Sequence, residues 1–271
     1  MVLRRPLVLT ALAGLAATLG ACAVPSASTA PSTAASTALP TSVSAPSAAP
    51  SGARSTVPSA TAASGTPAVT TLPASTPVAA SGPKIVKRLI PYSAKRKQQM
   101  AGYAKAHYGV KDWRLRPTAI VLHFTESNSV SGVISQFARN APNRGEAPGT
   151  CAHYLIAKDG TIYELVPPSI MCRHAIGLNH KAIGIEMIQT TQGNSPAWAD
   201  RQILARKAQA RSLIALVKSL QATYKIQTSH VYGHAGANKA SEFKELKGWR
   251  NDHQDFGAAA VAEVRRRLSA K

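Results

Sequence analysis

Two histidines in this chain sit where apolar runs stop. Thr118-Ala119-Ile120-Val121-Leu122-His123-Phe124-Thr125 carries four apolar residues into His123, and polar residues follow at once. Val231-Tyr232-Gly233-His234-Ala235-Gly236-Ala237-Asn238 repeats the arrangement, with glycine on both sides of the histidine. Each run reads as a buried strand with a metal-capable side chain at its end. A lone histidine of this kind is a core residue. Two neutral imidazoles held at strand ends are a common start to a zinc site. A third run, Ala182-Ile183-Gly184-Ile185-Glu186-Met187-Ile188, buries one acid among apolar residues. A carboxylate there needs a reason, because burial without a partner is costly. It is either part of the same chemistry or paired with an arginine at a sheet edge.

The elements that must position these residues follow from the pattern around them. Ser93 to Tyr108 has Met100, Tyr103 and Ala104 at helical spacing and ends near Gly109. Pro117 fits the start of the His123 strand. Ser129 can cap a helix whose apolar face is Val130, Val133, Ile134 and Phe137. Residues 140–149 form a loop. Cys151 to Ala157 and Ile162 to Val166 read as a hairpin, turned by Lys158-Asp159-Gly160-Thr161. A loop carrying His174 leads to the Glu186 strand. Residues 190–199 read as a second loop, and Asp200 to Tyr224 as one long helix. Residues 235–254 are irregular and basic, and Gly257 to Leu268 closes the chain as a helix. Helices alternating with short strands give the α/β class: a single domain with a central mixed β-sheet flanked by helices.

Much of the remaining sequence cannot build a core. Residues 1–21 read as a signal peptide, with Arg4 and Arg5 before a short apolar stretch, Leu7 to Leu19. Leu19-Gly20-Ala21-Cys22 resembles a lipobox, which would make Cys22 a lipidated N-terminus; the alternative is plain cleavage near Ala21 or Ala23 with Cys22 incidental. Residues 22–83 are almost entirely Ala, Ser, Thr, Pro, Val and Gly, with Arg54 the one charge. Such a stretch buries too little to offset its ordering entropy, and is expected to be a disordered tether. The folded part, residues 84–271, then holds 29 of the 32 Lys+Arg and all 12 Asp+Glu, a net charge of +17. That field attracts polyanions. An exported, lipid-anchored protein of the bacterial cell envelope, on the periplasmic or outer-surface side, meets anionic wall polymers and membrane before nucleic acid. No nucleic-acid-binding motif occurs, so no nucleic-acid partner is expected. With Cys22 lipidated, Cys151 and Cys172 remain as an even pair flanking the hairpin. They are expected to form a disulfide or to be buried as two reduced thiols; with no CxxC they are poor zinc ligands. No HExxH protease motif occurs.

Four segments in order, IVLHFT, CAHYLIAKDGTIYELVP, RHAIGLNHKAIGIEMI and VYGHAGAN, resemble successive blocks of the type 2 N-acetylmuramoyl-L-alanine amidases, relatives of the peptidoglycan recognition proteins. The resemblance covers roughly residues 117–268. It implies a zinc cleft on one face of the sheet and hydrolysis of the amide between N-acetylmuramic acid and L-alanine in peptidoglycan or muropeptides. Position by position, it implies His123 and His234 as zinc ligands. The third ligand falls in Arg250-Asn251-Asp252-His253-Gln254-Asp255-Phe256-Gly257. In one alignment Asp255 is the ligand and His253 takes the place of a catalytic Lys; in the other these are Asp252 and Arg250. Asp255 is preferred, because it directly precedes the closing helix. Two imidazoles and one carboxylate would leave Zn²⁺ an open position for water, whose pKa then falls to about 7. The resemblance implies Glu186 as the acid–base residue and His253 as an oxyanion stabiliser. It implies that His153 and His174 contact substrate or serve structure, and that Asn179 supports its loop or binds substrate. The expected partners are peptidoglycan or muropeptide and, through the N-terminal lipid, the membrane; a monomer is expected. The alternative is a non-catalytic peptidoglycan-binding module of the same fold.

Overall fold

The structure, a computed structural model, describes residues 82–270. The signal peptide, Cys22 and nearly all of the tether lie outside the described residues. Six strands form one mixed sheet in the order β1-β4-β3-β5-β2-β6: β1 (Ile85–Lys87), β2 (Ala119–Phe124), β3 (Tyr154–Ile156), β4 (Ile162–Glu164), β5 (Ala182–Met187) and β6 (Val231–Gly233). Only the β3–β4 hairpin is antiparallel; the other four pairings are parallel. The helices are α1 (Ala94–Tyr108), α2 (Val130–Ala138), α3 (Pro196–Ala205), α4 (Lys207–Tyr224) and α5 (Ala258–Ser269). Among the described residues, no helix is long and apolar enough to cross a membrane.

Period-two alternation divides the strand residues between two faces. Ile120 and Leu122 of β2 and Ile183 and Ile185 of β5 pack with Ile203, Leu213, Val217 and Val264 of α3, α4 and α5. On the opposite face Leu155 meets Val133 and Phe137 of α2, and Val121 meets Ala175 and Leu178. His123 and Glu186 are register partners on this second face, so the sheet itself sets them side by side.

Ser129 caps α2 with its side chain, as its position predicts, and Ser93 does the same for α1. Three expectations need correction. The helix expected over Asp200 to Tyr224 is two helices. α3 starts earlier, at Pro196 behind a Ser195 cap, and the chain breaks at Arg206, whose ψ is 96°. No Gly or Pro marks that break. Its cause is long-range: buried Gln209 donates to the carbonyls of Ile156 and Ile188 at the strand ends, and Arg206 reaches Gln189. The strands expected over Cys151 to Ala157 and Ile162 to Val166 shrink to three residues each, because the His153 carbonyl accepts from both Leu165 and Val166 and interrupts the ladder. The edge strand β1 lies in a stretch where no strand is expected; it borrows its pairing from β4.

Candidate metal centre and active site

Parallel pairing of β6 with β2 places Gly233 beside Leu122, so His234 emerges next to His123. Gly233 is required here: a Cβ on it would lie 1.7 Å from the Phe256 carbonyl oxygen. That close crossing delivers the third residue. Ala235 donates to the Asp255 carbonyl (3.0 Å), while the buried Asp200 carboxylate accepts from the amides of Phe256 and Gly257 at the start of α5. Asp255 is thereby turned inward. Its carboxylate lies 3.2 Å from His123 Nδ1 and 3.1 Å from His234 Nδ1. Among the described residues, these three form a group that could hold a metal ion, with ligand atoms within 4.8 Å of one another.

Proton accounting shows what this group needs. His174 Nε2 lies 3.1 Å from the Ala182 carbonyl, which can only accept, so Nε2 carries the hydrogen. Burial, then the nearby His123, holds His174 far below the usual imidazole range, so the ring is neutral and its Nδ1 is bare. That bare nitrogen accepts from His123 Nε2 at 3.1 Å. Burial and then His234 lower His123 to about 4, so its Nδ1 is bare as well. His234 Nε2 donates to Asn251 Oδ1 (2.9 Å), an oxygen fixed as acceptor by the Ile176 amide. The Nδ1 atoms of His123 and His234 lie 3.1 Å apart, and both face the Asp255 carboxylate. Two imidazole nitrogens and one carboxylate oxygen converging on one point are a donor set that fits a divalent metal.

Glu186 stands beside this group. Its Oε2 is buried and has no hydrogen-bond partner among the described residues. Burial, then the charge of Asp255, pushes its carboxyl up to about 8. Among the described residues no arginine pairs with it, and β5 is an inner strand. His123, Glu186, His234 and Asp255 line one cleft of about 400 Å³, with Gln136 and Arg144 on its walls. A family model described as N-acetylmuramoyl-L-alanine amidase matches residues 113–255. The chain belongs to this amidase family. Its activity is hydrolysis of the amide that joins the sugar to the stem peptide of peptidoglycan.

Among solved structures the amidase is similar to the N-acetylmuramoyl-L-alanine amidase LysC from Clostridium intestinale URNW, at 23% identity and a TM-score of 0.44, over 70% of this chain and 99% of that one. It is also similar to the Ph2119 endolysin from Thermus scotoductus MAT2119 bacteriophage Ph2119, at 19% identity and a TM-score of 0.41, over 67% and 99% of the two chains. The catalytic domain of XlyA matches at 21% identity and a TM-score of 0.38, over 58% and 87%. A search of the curated proteins finds no match.

The amidase places the other candidate residues less uniformly. His253 is exposed, and its ring stacks on His234 with centroids 4.7 Å apart and planes 12° apart. Asp252 faces solvent and pairs with Arg144. Arg250 turns to Phe243 and away from the cleft. Asn179 supports its loop: Oδ1 accepts from the amides of His174 and Ala175, and Nδ2 donates to Tyr108. His153 does not reach the cleft. It is fully buried, with Nδ1 accepting from the Gly184 amide and Nε2 donating to the Ile170 carbonyl, so neither nitrogen is free for substrate. His174 touches the cleft wall, yet both its nitrogens are committed inward. A disulfide joins Cys151 and Cys172, whose Cα atoms are 5.3 Å apart. His180 is half-buried, its ring stacked on Tyr108.

Asn251, Asp200 and Arg173 do work that the sequence pattern does not flag. Arg173 is buried and donates to the carbonyls of Asn143, Glu146 and Pro148, shaping the loop on the cleft wall. No local signal marks such residues, because each answers to carbonyls or rings distant in sequence.

Proposed function

We propose that the chain is a zinc-dependent N-acetylmuramoyl-L-alanine amidase, exported and held at the bacterial cell envelope by a lipid on Cys22, with residues 22–83 as the tether to a catalytic domain over 84–271. The observation that carries the zinc reading is the convergence of two imidazole nitrogens and one carboxylate on a single point of the cleft. His123, His234 and Asp255 would hold the ion. Zinc bound there supplies a Lewis acid for the scissile carbonyl and a lowered pKa for water.

The chain's own residues supply the rest. Glu186 lies within the cleft with an unpartnered carboxyl oxygen. It takes a proton from the attacking water and gives it to the leaving amide nitrogen. His253 lies on the open side of His234 and donates a hydrogen bond to the oxygen that gains charge. The anchor reading is supported by the run Leu19-Gly20-Ala21-Cys22 and by the Ala/Ser/Thr/Pro composition that follows it.

Purified protein incubated with muropeptides should release free stem peptide by mass spectrometry, and a chelator should abolish the release until zinc is restored. Release that persists in the fully metal-free protein would refute the zinc reading. His234→Ala should contain no zinc. For the anchor, Cys22→Ala should move the protein out of the membrane fraction.

A further inference from the structure

His174 has no contact with the atoms that would hold the metal, yet it meets the far nitrogen of one ligand ring. We propose that His174 is a positioning residue that locks His123 as the Nε2–H tautomer and so presents its Nδ1 lone pair to the metal. This rests on the metal reading above. The arm runs from the Ala182 carbonyl through His174 Nε2–H to His174 Nδ1, then to His123 Nε2–H, and ends at His123 Nδ1. Each hydrogen has one place to go, because the first link is a carbonyl that can only accept.

The surroundings hold the arm rigid. The rings of His174 and His123 meet at 86° with centroids 5.2 Å apart. Gly184 makes room for the His174 ring: a Cβ there would lie 2.6 Å from His174 Cγ. Behind it, His153 meets His174 edge-on at 5.7 Å, with both its nitrogens bound to backbone. Burial lowers His153 to about 4, so this second ring is a neutral wall. Asn179 fixes the 174–175 backbone. The arm on His234 is different, ending in the amide oxygen of Asn251.

A metal-binding histidine usually gives its far N–H to a carboxylate, a backbone carbonyl or water. Here both acceptors are uncharged side chains. The net charge of two imidazoles, one carboxylate and a divalent ion stays at +1. That leaves the ion strongly electrophilic, and makes the geometry of each arm rather than added charge responsible for retention.

The test uses the full chain with ¹⁵N-labelled histidine, metal-free, at a fixed pH near 7.5. Long-range ¹⁵N–¹H correlation should find His123 and His174 both as Nε2–H tautomers. His174→Leu, which cannot accept, should give a mixed His123 tautomer and a zinc dissociation constant weakened about 10–100-fold by chelator competition. His174→Asn, whose Oδ1 can stand where Nδ1 stood, should recover most of that loss. The proposal is overturned by an Nδ1–H tautomer of His123 in the unsubstituted protein, or by a folded His174→Leu that binds zinc as tightly. The tautomer is read without metal, so it decides the arm even where zinc binding by the unsubstituted protein fails and the metal reading falls with it.

Discussion

Two places in this molecule bring a buried histidine together with carboxylate, and they resolve the encounter in opposite ways. At the candidate metal centre, His123 gives its far N–H to another neutral imidazole and turns its Nδ1 toward Asp255. On α1, His107 is fully buried and has a carboxylate at each ring nitrogen: Glu245 at 2.9 Å from Nδ1 and Glu146 at 2.6 Å from Nε2. It satisfies both only as a double donor. The first arrangement is a donor set that suits a cation. The second is complete, with a carboxylate at each ring nitrogen and Lys247 adding a charge beside Glu146. What decides between them is the partner of the far nitrogen, not the residue types. The consequences differ too. The His123 group is open to the cleft, whereas the His107 group staples α1 to the loop carrying Arg144 and to the segment that runs on to Asn251 and Asp255.

The comparison is sharpened most by Glu186, which shares the cleft with His123 and accepts no part of its proton arm. Glu186→Ala should retain zinc and the wild-type fold while kcat falls on the order of 10²–10⁴-fold, the range of a lost general acid–base group. Zinc content by mass spectrometry and stem-peptide release would be measured together. A variant that loses its zinc would make Glu186 part of the ligand set.

The His107 clamp should break differently. His107→Leu leaves Glu245, whose side chain is fully buried, without a counter-charge. Removing one partner of such a pair costs about 3–5 kcal/mol. Urea unfolding should show that loss, while zinc per folded molecule stays at the wild-type value. A midpoint unchanged from wild type would mean that the carboxylates are held by something other than the ring.

The contrast also marks what the sequence could and could not convey. His123, His234 and Glu186 were legible, because apolar runs of strand length point to one end and period two fixes their face. The cap at Ser129 was legible for the same local reason. Asp255 was legible only against its neighbour Asp252, through its place before α5. The roles of His174 and His153 were not legible. Their family positions suggested the cleft, but the partners that decide their protons are backbone groups such as the Ala182 and Ile170 carbonyls, placed by tertiary packing. His107 gave no signal at all: it reads as one more residue on a basic helix, and its two acids lie 39 and 138 residues away.

His153 allows a test by pH. Burial lowers it to about 4, below the free value of 6.5. Above pH 6.5 both the folded and the unfolded chain hold it neutral, and it adds no pH dependence. As pH falls from 6.5 toward 4, the unfolded chain takes up a proton that the folded chain refuses, so stability declines; below about 4 the decline from this group stops. The loss is on the order of 3 kcal/mol. NMR titration should find the His153 ring neutral at pH 5, with urea midpoints falling over the same interval. A ring that protonates near 6.5 would remove His153 as the neutral wall behind His174.

The smallest effect separates two acids three residues apart. Asp255 is buried between both imidazoles, whereas Asp252 meets Arg144 at 3.4 Å with both side chains largely in water, 49% and 69% exposed. Exposed pairs of that kind contribute about 0–1 kcal/mol. Asp252→Asn should therefore shift the urea midpoint marginally and leave zinc content unchanged, while Asp255→Asn should empty the site. The two substitutions remove the same charge from the same segment, so overall electrostatics cannot separate them. Only the inward turn that Asp200 imposes at Phe256 and Gly257 distinguishes one carboxylate from the other, and a site emptied by Asp252→Asn would show that this turn does not choose the ligand.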